Sequence, residues 1–236
     1  MKKSQTQTFL GTFAIILGTL FMMSASGCDN NGSSDSPRKA IIHTELGDIT
    51  VVLSDSTPEH RDNFIKLAEE GFYDNLLFHR VMKDFMVQGG DPKSLDADAG
   101  VRLGGGGPGY TLESDMRSDH VHIKGALAAA RQPDNVNPDK RSSGSQFYVV
   151  HGKTWNPGEL MSVESRIQAQ FPDFAYTEEM KSAYSEIGGT PFLDMNYTVF
   201  GFVVDGLDVI DSIAAVKVVA GNRPFEDVKF TVEVLK

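Results

Sequence analysis

Cysteine is nearly absent from this chain, because its 236 residues contain a single one, Cys28. An internal disulfide is therefore excluded. Positive charge is also scarce, since 22 lysines and arginines face 32 aspartates and glutamates, for a formal net charge of −10. An acidic balance of this kind argues against a nucleic-acid partner and against electrostatic docking on an anionic membrane.

Long apolar runs are also lacking, and the amino terminus holds the one that comes nearest to a membrane span. Residues 9–23 are apolar and uncharged, and Lys2 and Lys3 precede them. A helix over this run would cover only ~22 Å of a ~30 Å hydrocarbon core, so a permanent spanning helix is the poorer interpretation. The pattern instead predicts that residues 1–27 are an export signal.

The small residues before Cys28 indicate how that signal ends. Ala25-Ser26-Gly27-Cys28 resembles a bacterial lipobox, in which the thiol is lipidated and becomes the first residue, although Ala25 stands where Leu or Val is usual. The alternative is an ordinary signal peptide, cleaved nearby, with a free thiol. Lipoprotein-type modification attaches several acyl chains, so it predicts stable anchoring with the domain facing the periplasm or the cell exterior.

The segment after Cys28 is polar and has no apolar residue before Ala40. We expect residues 28–39 to be a disordered tether. The remaining residues, 40–236, suit one domain with a good core rather than two domains.

Short strand-like runs dominate that domain. A hairpin is predicted over residues 40–53, and further strands are predicted at 121–130, 146–151, 197–204 and 228–235. Two framework helices are predicted, one beginning at Thr57-Pro58-Glu59 and one over 207–214. Many short strands with two helices indicate a mainly β barrel or sandwich.

Residues 78–91 are the most informative stretch of the sequence. Arg80, Phe85, Met86 and Gln88 fall within nine positions, between two strand-like runs. A strand normally alternates apolar and exposed residues, but here the charge interrupts the apolar ones. This pattern predicts a wall that combines an apolar pocket with one cationic donor.

Four blocks of sequence together resemble the cyclophilin-type peptidyl-prolyl cis/trans isomerases. They are residues 78–91, 104–110, 144–148 and 192–201, in the order that the family has them. The resemblance covers roughly 40–153 and 190–236. It implies a closed eight-stranded antiparallel barrel, capped by two helices, with a binding groove on its outer wall and no cofactor or metal.

Residues 154–190 stand where small members of the family have a short loop, so a helical insertion beside the groove is predicted. Two helices are expected in it, one within residues 159–170 and one that begins at Thr177. Its sequence leaves open whether it is inert or selects substrates or partners.

The resemblance assigns a catalytic role to Arg80. When an Xaa-Pro bond twists, its nitrogen becomes pyramidal and regains a lone pair, which a positioned guanidinium can bind only in the transition state. Phe85, Met86 and Leu193 match the family's proline pocket, and Phe192 falls where cyclosporin-sensitive members carry Trp. The full set of expected substrate-binding residues is Phe85, Met86, Gln88, Ala130, Arg131, Gln146, Tyr148, Phe192, Leu193 and Tyr197.

Other interpretations stay open for several of these residues. Without the resemblance, the apolar pocket residues could be ordinary barrel core, and Arg80 could be part of a structural ion pair. His79 is expected to be a satisfied structural histidine. His120 and His122 could share a face and bind metal, although no third ligand has convincing spacing.

The sequence therefore predicts a monomeric peptidyl-prolyl isomerase that acts on proline-containing clients and assists the folding of exported proteins. The alternative is a non-catalytic module or holdase that binds proline-containing segments in the same groove.

Overall fold

The computed structural model describes residues 37–236, and its main element is a curled antiparallel sheet. The strands are β1 Lys39–Thr44, β2 Gly47–Leu53, β3 Leu76–Leu77, β4 Arg80–Met82, β5 Met86–Gly89, β6 Thr111–Leu112, β7 Ala126–Ala129, β8 Ser142–Ser143, β9 Phe147–Val150, β10 Val199–Asp205 and β11 Lys229–Leu235. Nine of them form one sheet in the order β3-β11-β1-β2-β10-β7-β9-β5-β4, while β6 and β8 pair separately.

The observed sheet differs from the predicted closed eight-stranded barrel. It has nine strands, and its two edge strands, β3 and β4, form no ladder with each other in the part of the chain that the structure describes. The backbone N–H of Phe78 instead donates to Val228 O at 2.9 Å, and that of Val81 donates to Asn222 O at 2.8 Å. Because the backbone in and beside the edge strands β3 and β4 bonds to this later segment, and β3 and β4 do not pair, the sheet is a curled half-barrel.

Within residues 37–236, four α-helices accompany the sheet, and two short 3₁₀ helices lie at Pro92–Ser94 and Pro191–Leu193. The α-helices are α1 Pro58–Glu69, α2 Pro157–Gln168, α3 Glu178–Glu186 and α4 Leu207–Ala214. The two predicted framework helices, α1 and α4, are confirmed. They bury Phe64 and Ile210 in the same core as the inner face of the sheet.

The insertion forms the two predicted helices, α2 and α3. Asn156 and Glu159 make a reciprocal capping box at the start of α2, and the Thr177 side chain caps α3. Local sequence therefore determines where both helices begin. The insertion has its own apolar cluster, whose buried members are Val121, Leu160, Val163, Ile167, Phe174, Tyr176 and Tyr184.

The strand β9 separates the barrel core from a second apolar cluster on the outer face. Phe147 and Val149 point into the core, while Tyr148 and Val150 point outward, as the predicted alternation requires. The outer cluster also contains Met86. This apolar surface on the outer face of the sheet can bind an apolar group of a ligand.

The amino-terminal predictions lie mostly outside the described residues, including the export signal and Cys28. β1 begins at Lys39, which the tether prediction had included. Between residues 37 and 236, no helix combines the length and the apolar character that crossing a membrane requires.

Candidate functional site

A groove of about 830 Å³ lies against β4, β5 and β9. Nine of the predicted site residues line it: Arg80, Phe85, Met86, Gln88, Ala130, Arg131, Tyr148, Leu193 and Tyr197. Gln146 lines an adjoining pocket of about 630 Å³ that also contacts Gln88 and Ala130. Phe192 stacks on Phe85 at the rim, with ring centroids 5.8 Å apart, and stays 47% exposed.

The apolar part of the groove is distinct from the barrel core. Met86, Ala130, Tyr148 and Leu193 pack together in the outer cluster, with Phe85 partly buried against them. None of the five belongs to the core cluster on the inner face of the sheet. The interpretation of these residues as ordinary barrel core is therefore wrong, and they form a small apolar hollow that opens to the groove.

Arg80 lies at the edge of this hollow and is half-buried. Its Nη1 donates to Gln88 Oε1 at 3.1 Å, its Nη2 lies 3.2 Å from Met82 Sδ, and its guanidinium carbon is 5.6 Å from the centre of the Phe85 ring. It forms no ion pair with any described carboxylate, so its remaining N–H groups are open to a ligand. Burial lowers the pKa of Arg80 from its ordinary value, but arginine remains charged at neutral pH.

Two amides hold the guanidinium in place. Gln88 Nε2 donates to Gln146 Oε1 at 3.0 Å, and Gln146 Nε2 donates to the carbonyl of Gly106 at 2.7 Å. This chain of donors orients the oxygen of Gln88 toward Arg80. Gln88 and Gln146 therefore orient the cation, a contact that the sequence did not predict.

Arg131 lines the groove and also makes several contacts within the protein. Its Nε donates to Asn196 O at 2.9 Å, its Nη1 donates to Gln132 O at 3.1 Å, and its guanidinium lies 4.6 Å from the centre of the Tyr197 ring. Only 6% of the side chain is exposed, and its Nη1 also pairs with Asp134 Oδ1 at 2.5 Å. These contacts hold the guanidinium against Tyr197 at the rim.

Asp91 organises the glycine-rich loop beside the groove, a role that the sequence analysis missed. Its fully buried carboxylate accepts hydrogen bonds from the backbone N–H groups of Lys93, Gly104 and Gly106, at 2.8, 2.6 and 3.2 Å. A Cβ at Gly106 would lie 2.0 Å from Asp91 Oδ1, so only glycine fits there. The position of Asp91 at the end of the 78–91 block was the available signal.

Tyr148 is tied to a buried network that the sequence analysis also missed. Its hydroxyl lies 3.0 Å from His122 Nε2, and His122 Nδ1 lies 2.7 Å from Asp194 Oδ1. Burial raises the pKa of the Tyr148 hydroxyl well above its usual value, so it is protonated and can donate. Asp194 follows Leu193 directly, which was the only sequence signal.

The two histidines considered for metal binding do not converge. The ring nitrogens of His122 face Asp194 and Tyr148, whereas those of His120 face Ser54 Oγ at 2.6 Å and Asp119 Oδ1 at 2.9 Å. Residues 37–236 contain no group of three potential metal ligands.

His79 precedes Arg80 in the chain and is 4% exposed. Neither of its ring nitrogens has a hydrogen-bond partner among the described residues. It is therefore buried as predicted but not satisfied. Burial lowers its pKa to about 4, so the ring is neutral at physiological pH.

The chain that forms this curled β-sheet and the groove on its outer face matches a known protein family. The family model described as cyclophilin type peptidyl-prolyl cis-trans isomerase/CLD matches residues 39–234. The chain belongs to this family.

Individual relatives agree with that assignment. A Staphylococcus saprophyticus protein assigned the name peptidyl-prolyl cis-trans isomerase is 36% identical over 194 residues, which cover 80% of this chain and 87% of the relative. A Staphylococcus aureus protein of the same name is 35% identical over 191 residues, with coverage of 80% and 87%.

Solved structures show the same fold at lower identity. A Cryptosporidium parvum cyclophilin-type isomerase matches with a TM-score of 0.58 and 18% identity, covering 85% of this chain and 99% of that one. The same protein was also solved in the presence of the dipeptide Ala-Pro, and that structure matches with a TM-score of 0.56.

Proposed function

We propose that this protein catalyses rotation about Xaa-Pro bonds of exported polypeptides and assists their folding. The observation that carries the proposal is the placement of Arg80, a half-buried cation at the edge of an apolar hollow, with no carboxylate partner among residues 37–236. A cation held in this way is suited to a reaction that needs a directed donor and no nucleophile.

The barrier to rotation about a peptide bond is ~18–20 kcal/mol, because the C–N bond has partial double-bond character. As the bond twists, the prolyl nitrogen becomes pyramidal and its lone pair becomes a hydrogen-bond acceptor. An N–H of Arg80 aimed at that nitrogen stabilises the twisted state and not the planar one, which is the condition for catalysis. Lowering the barrier by ~6 kcal/mol would accelerate rotation roughly 10⁴-fold.

The apolar hollow supplies the second requirement, which is to hold the proline ring while its neighbour rotates. Met86, Tyr148 and Leu193 are each less than 10% exposed and form its walls, and Phe85 closes one side. Gln146 and Ala130 border the adjoining pocket, where the residues before the proline would lie. Burial of an apolar ring in such a hollow contributes roughly 1.5–3 kcal/mol to binding.

We further propose that the domain is monomeric and is tethered to a membrane by lipid at Cys28, outside the cytoplasm. The support is the order of the amino-terminal features: two lysines, an apolar run of 15 residues, small residues and then the cysteine. Incorporation of radiolabelled fatty acid tests the anchor, because it must be lost in Cys28→Ser. Labelling that persists in that variant would exclude the proposed site.

The isomerase assay on the 40–236 fragment decides between catalysis and simple binding. A protease-coupled assay with an Xaa-Pro peptide should give turnover proportional to enzyme concentration, and titration of the same peptide should give its dissociation constant. Measurable binding without turnover would favour the alternative, a module that only holds proline-containing segments.

A further inference from the structure

Asp194 is a buried carboxylate whose hydrogen-bonding capacity is filled. Its Oδ1 accepts from the backbone N–H of His122 at 2.8 Å and from His122 Nδ1 at 2.7 Å. Its Oδ2 accepts from the hydroxyls of Tyr176 at 2.7 Å and Tyr184 at 2.6 Å. A carboxylate that is 1% exposed needs such partners, because a buried charge without them is very costly.

The ring of His122 links Asp194 to Tyr148. Because the carboxylate can only accept, Nδ1 of His122 carries a proton and donates to it. Nε2 faces the Tyr148 hydroxyl at 3.0 Å, within hydrogen-bond distance. The two rings also stack, with an interplanar angle of 15° and centroids 6.0 Å apart.

One carboxylate thus positions two walls of the apolar hollow. Tyr148 is held through His122, and Leu193 is the residue immediately before Asp194, in the 3₁₀ helix Pro191–Leu193. The Asp194 N–H donates to Pro191 O at 3.1 Å, which fixes the end of that helix.

The insertion supplies both tyrosines that complete the network. Tyr184 lies on α3 and Tyr176 lies just before it, and both are at most 3% exposed. The end of the insertion is also fixed to the same segment of chain, because the Thr190 N–H donates to His122 O at 2.8 Å. A Cβ at Gly189 would lie 2.4 Å from that oxygen, so the two backbones are in close contact.

We infer that Asp194 is a positioning residue of the isomerase site and that the insertion acts on the site through Tyr176 and Tyr184. The route is Tyr184 and Tyr176 to Asp194, then His122, then Tyr148. On this view the insertion sets the shape of the proline hollow and is not an inert surface addition. The inference rests on the proposed isomerase function. It goes beyond that function by giving a positioning role to residues outside the groove.

A double-mutant cycle tests the route. Tyr184→Phe and Tyr148→Phe each remove one hydroxyl and keep the ring, and each is expected to lower kcat/KM roughly 3- to 10-fold. Because both lie on one route, the double variant should be no slower than Tyr148→Phe alone. Tyr176→Phe, the second donor to Asp194, should repeat this behaviour.

Tyr73→Phe is the matched control. Tyr73 is 1% exposed, and its hydroxyl donates one hydrogen bond, to Ser145 O at 3.2 Å, in the core cluster on the inner face of the sheet. Its loss should change thermal stability as much as the other substitutions do, while kcat/KM stays within about twofold of wild type.

The inference is overturned if Tyr184→Phe and Tyr176→Phe behave like Tyr73→Phe, or if their effects multiply with that of Tyr148→Phe. Absence of wild-type turnover would instead reject the proposed isomerase function. The same cycle on the dissociation constant of an Ala-Pro peptide then decides the inference, with coupling supporting it and independent effects refuting it.

Discussion

Replacement of Arg80 by alanine should slow isomerisation far more than it weakens binding. The substitution removes a cation that is fixed by Gln88 and has no carboxylate partner among the described residues. Loss of one preorganised donor to a developing charge costs about 2.7–4 kcal/mol in other enzyme sites, or 10²–10³ in rate. We expect kcat/KM to fall by that factor, because the lone pair it binds exists only in the twisted state.

Three walls of the hollow, Met86, Tyr148 and Leu193, are unchanged by this substitution, so the affinity for the planar peptide should change little. Met86, Tyr148 and Leu193 pack against one another in the outer apolar cluster. Arg80→Lys is expected to fall between wild type and alanine, because lysine keeps the charge but cannot reach Gln88 and a ligand with one planar group.

The assay is the protease-coupled measurement of cis-to-trans conversion, with peptide affinity measured separately. Arg117→Ala is a matched control, since Arg117 contacts Asp119 at 3.0 Å and does not line the groove. A kcat/KM for Arg80→Ala within threefold of wild type would show that Arg80 does not stabilise the twisted bond. So would an equal loss of affinity and kcat/KM, because that pattern reports uniform binding.

Three further predictions address the surroundings of the site. Phe192→Trp restores an indole donor at the rim and should strengthen cyclosporin binding by about tenfold or more in calorimetry; an unchanged affinity would contradict the assignment of that position. Asp91→Ala deprives three backbone N–H groups of their acceptor and should lower the free energy of unfolding in urea by about 3 kcal/mol. A loss below 1 kcal/mol would show that Asp91 does not hold the glycine-rich loop in place. Burial lowers the pKa of His60 to about 4 from its ordinary 6.5. Between these two pH values the unfolded chain binds a proton at His60 that the folded chain does not bind. The free energy of unfolding is therefore unaffected by His60 above pH 6.5 and falls by up to about 3 kcal/mol as the pH drops toward 4. His60→Leu should flatten the fall in unfolding free energy between pH 7 and 4.5, and an unchanged slope would rule out that cause.

Local pattern was sufficient for the elements whose signals lie within a few residues. The β1–β2 hairpin, α1, α4 and both helices of the insertion were all predicted from alternation, capping residues and helical spacing. The open edge between β3 and β4 was not predicted, because the backbone partners of this stretch lie more than 130 residues later in the chain. Such pairing leaves no local periodicity in a strand of two or three residues.

The candidate site divides in the same way. The ordered blocks contain seven of the nine predicted residues that line the groove, and Ala130 and Arg131, which lie outside the blocks, followed from the family resemblance. The network behind Tyr148 was not predicted, because His122 and Asp194 are 72 positions apart. Neither stretch of sequence carries a local pattern that indicates contact with the other. His122 was instead considered as a metal ligand, since sequence spacing alone cannot tell which groups a histidine faces.

Interconversion on the protein itself is the most direct test of the account, which depends on Arg80 stabilising the twisted bond. Exchange spectroscopy of a labelled Xaa-Pro peptide, saturated with the 40–236 fragment, measures the cis–trans rate of the bound peptide separately from its dissociation. If Arg80 stabilises the twisted bond, this bound-state rate falls roughly 10²–10³-fold in Arg80→Ala, while the dissociation rate changes little. A bound-state rate in Arg80→Ala equal to that of wild type would contradict it.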